Sequence, residues 1–288
     1  LFVPQELYSG KENLDTGVRS DDKEFSLIQY AEESFYEHME RRLFVDTIAE
    51  VIGRRLETDK RAILIGEEVG HMKGGAFLAT KGLFLRYRDR VIDTPISENG
   101  FCGMALGLAL LGKRPIVEIM YPDFSLVAAD QLFNQIGKYR YMYGNQFNVP
   151  IVIRTRVSIG TGYGAQHSMD PAAFYALFPG WRIVAPSNPF DYIGLFNSAY
   201  HSLDPVLVIE HQALYSTEGL VPEDRDFFVP FAKARVARRG KDATLVSYSI
   251  MTKKALEAAE ELSREGIEVE ILDLRTVDYS GIDYETIG

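Results

Sequence analysis

From residue 39 onward the apolar positions alternate between two periods. Leu43, Phe44, Ile48 and Val51 recur at helical spacing as far as Leu56, and residues 61–66 then form a short unbroken apolar run. Similar runs rich in β-branched residues follow at 91–93, 115–120, 150–154, 182–185 and 205–210. Helix-length stretches at 100–111, 124–142, 171–176 and 189–201 separate them. Buried strands alternating with helices predict a doubly wound α/β domain with a mostly parallel sheet covered on both faces, spanning residues 39–215. Residues 216–240, with Pro222, Pro230 and several acids but no period, predict a linker. A strand at 243–248, a helix at 251–265 ended by Gly266 and a strand at 267–274 make one βαβ unit within residues 241–288. A lone parallel pair cannot bury both faces, so this unit reads as the start of a second, truncated α/β domain. Residues 1–38 are polar and irregular and read as an extension with at most one short helix.

Charge and composition exclude several classes. Lys and Arg total 31 against 41 Asp and Glu, a net charge of −10 that offers no basic field for a nucleic acid. The single cysteine, Cys102, permits no intrachain disulfide or thiolate-rich metal site, and a reducing compartment, the cytoplasm or an organelle matrix, is expected. The longest apolar stretch, 102–111, is interrupted by Gly103 and Gly107 and falls far short of the ~20 residues that span a bilayer, so no membrane is expected. Residue 1 is leucine with no basic-then-apolar leader behind it, and the chain is expected to be part of something longer.

In a parallel sheet, ligands bind at the carboxyl ends of the strands, and three such loops stand out. Asp93-Thr-Pro-Ile-Ser-Glu-Asn-Gly100 puts an acid at the start of a glycine-rich helix. Ser97 or Glu98 either caps that helix, or Glu98 is a buried carboxyl able to share a proton with a ring nitrogen. Thr161 to Pro171 carries Gly162 and Gly164 and then His167 beside Ser168, where the histidine is either structural or catalytic. Met120-Tyr-Pro-Asp-Phe124 sets aromatics at a strand end, as core or as a wall for a flat ring. Glu67 and Glu68 are adjacent, so their side chains diverge and do not close a cation site. No G-x-G-x-x-G after a strand, G-x-x-x-x-G-K-[ST], G-x-S-x-G or H-E-x-x-H is present.

The ordered set Ile65-Gly-Glu-Glu-Val69, Asp93 to Gly100, Pro115 to Met120 with Asp123-Phe124, Ala129-Asp-Gln131, Val149-Pro-Ile-Val-Ile-Arg154, Gln166-His-Ser168 and Pro205-Val-Leu-Val-Ile-Glu210 resembles the β subunit of the thiamine-diphosphate-dependent 2-oxo acid dehydrogenases. This is the E1 component of the pyruvate and branched-chain complexes, and the resemblance covers about residues 40–288. It implies a pyrimidine-binding domain followed by part of a transketolase-like C-terminal domain, and oxidative decarboxylation with acyl transfer to lipoamide. It also implies that Glu98 hydrogen-bonds N1′ of the cofactor's aminopyrimidine, that Phe124 stacks on that ring beside Ile96, and that His167 serves decarboxylation and acyl transfer. A monovalent-cation site, K⁺ in the family, is implied at Ile151, Ala199, Tyr200, Ser202 and Asp204, although the stretch reads His201-Ser-Leu-Asp and matches loosely. The G-D-G signature followed some 30 residues later by Asn, which holds Mg²⁺ and the diphosphate, is missing. The implied partners are therefore an E1 α subunit or a missing N-terminal half, a second β copy in a heterotetramer, a lipoyl-bearing E2 and a 2-oxo acid. The alternatives within the same fold are a transketolase-like or acetoin-cleaving subunit and a non-catalytic assembly module.

Overall fold

The structure, a computed structural model, describes residues 17–19, 22–71, 74, 75 and 77–288. In chain order the elements begin with β1 (Glu40–Leu43), α1 (Phe44–Thr58), β2 (Ala62–Gly66), α2 (Leu83–Arg86), β3 (Val91–Asp93), α3 (Glu98–Leu110) and β4 (Arg114–Ile119). They continue with α4 (Tyr139–Met142), β5 (Val152–Val157), α5 (Ala172–Ala176), β6 (Arg182–Val184), α6 (Pro189–His201), β7 (Val206–His211) and β8 (Glu218–Val221). The chain then forms β9 (Arg235–Arg238), β10 (Ala243–Ser247), α7 (Ile250–Arg264), β11 (Val269–Asp273) and α8 (Tyr284–Ile287).

Six strands form one sheet in the order β3-β2-β4-β5-β7-β6, and all five pairings are parallel. Buried on both faces, these strands need apolar residues at nearly every position, which is why they read as continuous runs. On one face Ile48, Val51 and Ile52 of α1 and Phe190, Ile193 and Phe196 of α6 pack against Leu64, Ile116 and Val208. On the other, Phe101, Cys102 and Ala105 of α3 join Leu132 and Phe133 over Ile65, Val117 and Ile153. The chain leaves β2 toward β3 on one side and returns to β4 on the other, so the loops after β2 and β4 part at a topological switch point. That is where a crevice opens in such sheets.

Several expectations are corrected. Residues 124–142 do not form one helix: Pro122–Leu126 is a 3₁₀ turn, Asp130–Ile136 winds as a π-helix, and only α4 follows as α-helix. The wide winding ends at Gly137, against whose carbonyl the Gly180 backbone, at φ +90°, lies so closely that a Cβ there would collide. The 216–240 stretch contains two strands. β8 pairs antiparallel with β1, and β9 pairs antiparallel with β11 in a small sheet of order β10-β11-β9. The parallel pair β10 and β11 read from the sequence is present, with β9 as its third strand.

The described part of the extension is tied down, since Val18 and Phe25 are buried and the Glu24 carboxylate accepts from the Leu203 N–H at 2.8 Å. The small sheet joins the main one through backbone bonds beside β6, such as Ala185 N–H to the Arg275 carbonyl at 2.8 Å, and through polar side chains. Arg275 and Arg235 approach the buried Asp191 at 2.6 and 3.4 Å, and the Ser187 hydroxyl donates to the buried Asp273 at 2.5 Å. Its own buried apolar cluster is only Ala259, Val269 and Ile271, and Leu245 and Val246 of β10 face solvent. Among the described residues no helix is long and apolar enough to cross a membrane.

Candidate active site

The crevice at the switch point is a cavity of about 800 Å³ lined by Glu67 and Glu68 after β2, residues 94–99 after β3, and Met120, Phe124 and Val127 after β4. The β2–β3 register pairs Gly66 with Asp93, which brings the two loops that follow side by side. Glu98 is the first residue of α3 and is buried. Ser97 makes no side-chain capping bond, and the Glu98 carboxyl lies close enough to that of Glu67 for the two to interact. Burial, then the neighbouring Glu98 charge, pushes the Glu67 carboxyl up to about 7, although the Ser97 N–H donating to it acts in the opposite direction. Below that value Glu67 carries its proton beside Glu98. Glu67 Oε1 has no hydrogen-bond partner.

Sequence reasoning missed Glu67. It turned on the divergence of Glu67 and Glu68, which the structure keeps, with Glu67 buried and Glu68 exposed at φ +58°. The signal lay one strand away, in the parallel alignment that brings the end of β2 to the loop holding Glu98.

Ile96 and Phe124 line the same cavity, with Ile96 85% exposed at its mouth and Phe124 partly buried. His167 reaches this place from the loop after β5. Its ring meets Tyr121 edge-on with centroids 4.3 Å apart and Phe124 at 5.4 Å. Gly160, Gly162 and Gly164 carry positive φ in that loop, so the chain turns back toward the β4 end. Ser168 donates its hydroxyl to the Gly164 carbonyl at 2.7 Å and braces the turn. Phe124 therefore bridges the histidine to the cavity that holds Glu98.

The residues expected to hold a cation lie at the opposite end of the sheet, where guanidinium groups engage several of their polar atoms. Arg114 donates to the carbonyls of Tyr200, His201 and Ser202, the last two at 3.3 Å. The Ile151 carbonyl accepts from Val206 N–H at 2.9 Å, and the Ser202 hydroxyl accepts from Asp204 N–H at 3.1 Å. The Asp204 carboxylate pairs with Arg140 at 3.0 Å and Arg19 at 3.5 Å. Guanidinium groups thus engage the Tyr200 and Ser202 carbonyls and the Asp204 carboxylate, and a backbone N–H engages the Ile151 carbonyl. Among the described residues no group of three or more His, Cys, Asp or Glu is placed to hold a metal ion.

Comparison with known proteins supports the fold. Residues 44–217 match the transketolase pyrimidine-binding domain and residues 232–287 the transketolase C-terminal domain. The β subunit of acetoin:2,6-dichlorophenolindophenol oxidoreductase from Cupriavidus necator is 42% identical over 86% of this chain and 76% of its own length. The 2-oxoisovalerate dehydrogenase β subunit of Bacillus subtilis is 39% identical over 81% and 72%. The human mitochondrial pyruvate dehydrogenase E1 β subunit is 42% identical over 84% and 68%. Among solved structures, a split-gene transketolase described as an inactive β4 tetramer superposes with a TM-score of 0.67 at 21% identity, over 85% of this chain and 74% of that one, and supports the fold alone. With a transketolase-type sheet, a carboxyl pair at its switch point and these relatives, the chain belongs to the family of E1 β subunits of the 2-oxo acid and acetoin dehydrogenases.

Proposed function

We propose that the chain is the β part of a 2-oxo acid dehydrogenase E1, working with an α subunit in the cytoplasm or an organelle matrix and passing an acyl group to a lipoyl-bearing partner. The observation that carries this reading is that Glu67 and the buried Glu98 line one crevice walled by Phe124, with burial raising the Glu67 carboxyl to about 7. The residues fit the aminopyrimidine half of thiamine diphosphate: a flat heteroaromatic ring needs an apolar wall and one carboxylate at a ring nitrogen, and Phe124, Met120 and Glu98 supply both. When bound, that cofactor supplies a nucleophilic thiazolium carbon and an electron sink. Glu98 holds the proton at the ring nitrogen, Glu67 replenishes it from a position where it is protonated near neutral pH, and His167 serves the substrate side from beyond Phe124. Exposed Ile96 and Val127 at the mouth support closure of the site by another chain, which would bring the Mg²⁺ and diphosphate contacts.

An acetoin-cleaving activity is the second reading, favoured by the similarity to the Cupriavidus subunit. In enzyme assembled with its α subunit, Glu98→Gln is expected to slow deuterium exchange at the cofactor's thiazolium C2 by about 10² to 10⁴. His167→Ala is expected to leave that exchange near normal while slowing acyl transfer. Normal exchange in Glu98→Gln would return the glutamate to a capping role, and equal loss of both steps in His167→Ala would make the histidine a shaper of the pocket.

A further inference from the structure

Arg156, near the carboxyl end of β5, is a buried charge that the fold leaves uncompensated. It is 4% exposed, none of its three guanidinium nitrogens makes a hydrogen bond of ordinary geometry, and the Tyr121 hydroxyl, a neutral group, gives it only a looser contact. No carboxylate among the described residues pairs with it. Arg154, two residues earlier, is the contrast. It pairs with Glu118 and grips both oxygens of Glu210 through Nε and Nη2 at 2.8 and 2.5 Å. The Tyr192 and Tyr215 hydroxyls donate to the same two oxygens at 2.5 and 2.6 Å. Register places Arg156 opposite Glu210, yet that carboxylate is saturated by its other partners.

What surrounds Arg156 is aromatic. Its guanidinium lies over Phe77, 4.2 Å from the Tyr121 ring centroid and 5.7 Å from that of Tyr163. Ring faces attract a cation but supply no acceptors for its in-plane N–H groups. A desolvated guanidinium of this kind is completed by an anion that arrives from outside. Tyr121 is also the residue against which His167 packs at 4.3 Å, and Met120 lines both the Glu98 cavity and the small cavity beside Arg156. That small cavity measures about 10 Å³, the room of one water or one carboxylate oxygen and too little for a phosphate.

We propose that Arg156 receives the carboxylate of the substrate and so makes the site prefer an anionic 2-oxo acid over the neutral hydroxyketone acetoin. This deepens the function proposed above and rests on it. The test uses enzyme assembled with its α subunit, thiamine diphosphate and Mg²⁺, with pyruvate and acetoin as alternative substrates. Arg156→Gln is expected to lower the ratio of kcat/KM for pyruvate over acetoin by about 10- to 100-fold, the range of a lost charged hydrogen bond, mostly through KM. The rise in thermal midpoint that pyruvate gives the wild-type assembly is expected to vanish in the variant. Equal losses on both substrates would make Arg156 a structural cation and overturn the proposal. So would a pyruvate-induced stabilisation that survives in the variant or is absent from the wild type. If the wild type turns over neither substrate but pyruvate still stabilises it and not the variant, the functional reading falls while the anion site stands. Where Arg156→Gln does not assemble, Arg156→Met, which keeps an apolar stem among the rings, is judged by the same ratio.

Discussion

Replacing Glu67 by glutamine tests the carboxyl pair through stability, with no cofactor or partner required. In the folded chain Glu67 keeps its proton up to about pH 7, against an ordinary value of 4.5. The unfolded chain releases that proton near 4.5, so between these two values the native state binds more protons and wild-type stability falls as pH rises. At 1.36 kcal/mol per pH unit the displacement corresponds to at most about 3.4 kcal/mol. The carboxyl borders an open cavity where solvent screens it, and about 1–2 kcal/mol is the working figure. Glutamine has the same shape, carries no charge and can donate to Glu98 from its amide. Urea unfolding of both proteins from pH 4 to 8.5 is therefore expected to give matching stabilities at the acid end and a Glu67→Gln variant more stable by about 1–2 kcal/mol above pH 8. A difference that does not change with pH would refute the reasoning, because it would place the effect in packing and leave the shared proton without a role.

Two further outcomes follow from the ion networks. Glu210→Leu strips Arg154 of its bidentate partner inside the sheet and is expected to cost about 3–5 kcal/mol in urea unfolding, whereas adding Arg154→Met should recover much of that loss. Exchanging K⁺ for tetramethylammonium is expected to leave the thermal midpoint of the chain unchanged, because Arg114, Arg140 and Arg19 already occupy the groups around Ser202 and Asp204. A saturable rise of several degrees on adding K⁺, as ligand binding to the native state produces, would contradict this.

The parallel sheet was legible because its strands are buried on both sides, and Ala62–Gly66, Val91–Asp93 and Val206–His211 announce themselves as apolar runs. β5 was read as stopping at Arg154 because two arginines interrupt its pattern. In the structure the strand runs on to Val157, with Arg154 held by carboxylates and Arg156 by rings, neither of which periodicity reveals. β1 and β8 were not legible, since Glu-Arg-Arg-Leu and Glu-Gly-Leu-Val are strands only because each is the other's partner. The site residues Glu98, Phe124 and His167 drew attention as strand-end loops and took common meaning from the family resemblance. The arginine contacts around Tyr200 and Ser202 were not legible, because Arg114 lies some 86 positions away from Tyr200, which a motif match does not weigh.

The small sheet is held to the main domain by a few backbone bonds at the β6 edge, by salt bridges and by hydroxyl bonds, with a small apolar cluster of its own. Groups of this kind lose less than apolar contacts when water enters, so the unit has a low-energy route to detaching while the six-stranded sheet stays intact. Amide hydrogens of β10 and α7 are then set to exchange with solvent through this partial opening, long before those of β5 and β7, which wait for the whole molecule to unfold. The Asp191–Arg275 joint is buried and little screened by salt, so the opening answers to the loss of either partner of that pair more than to ionic strength.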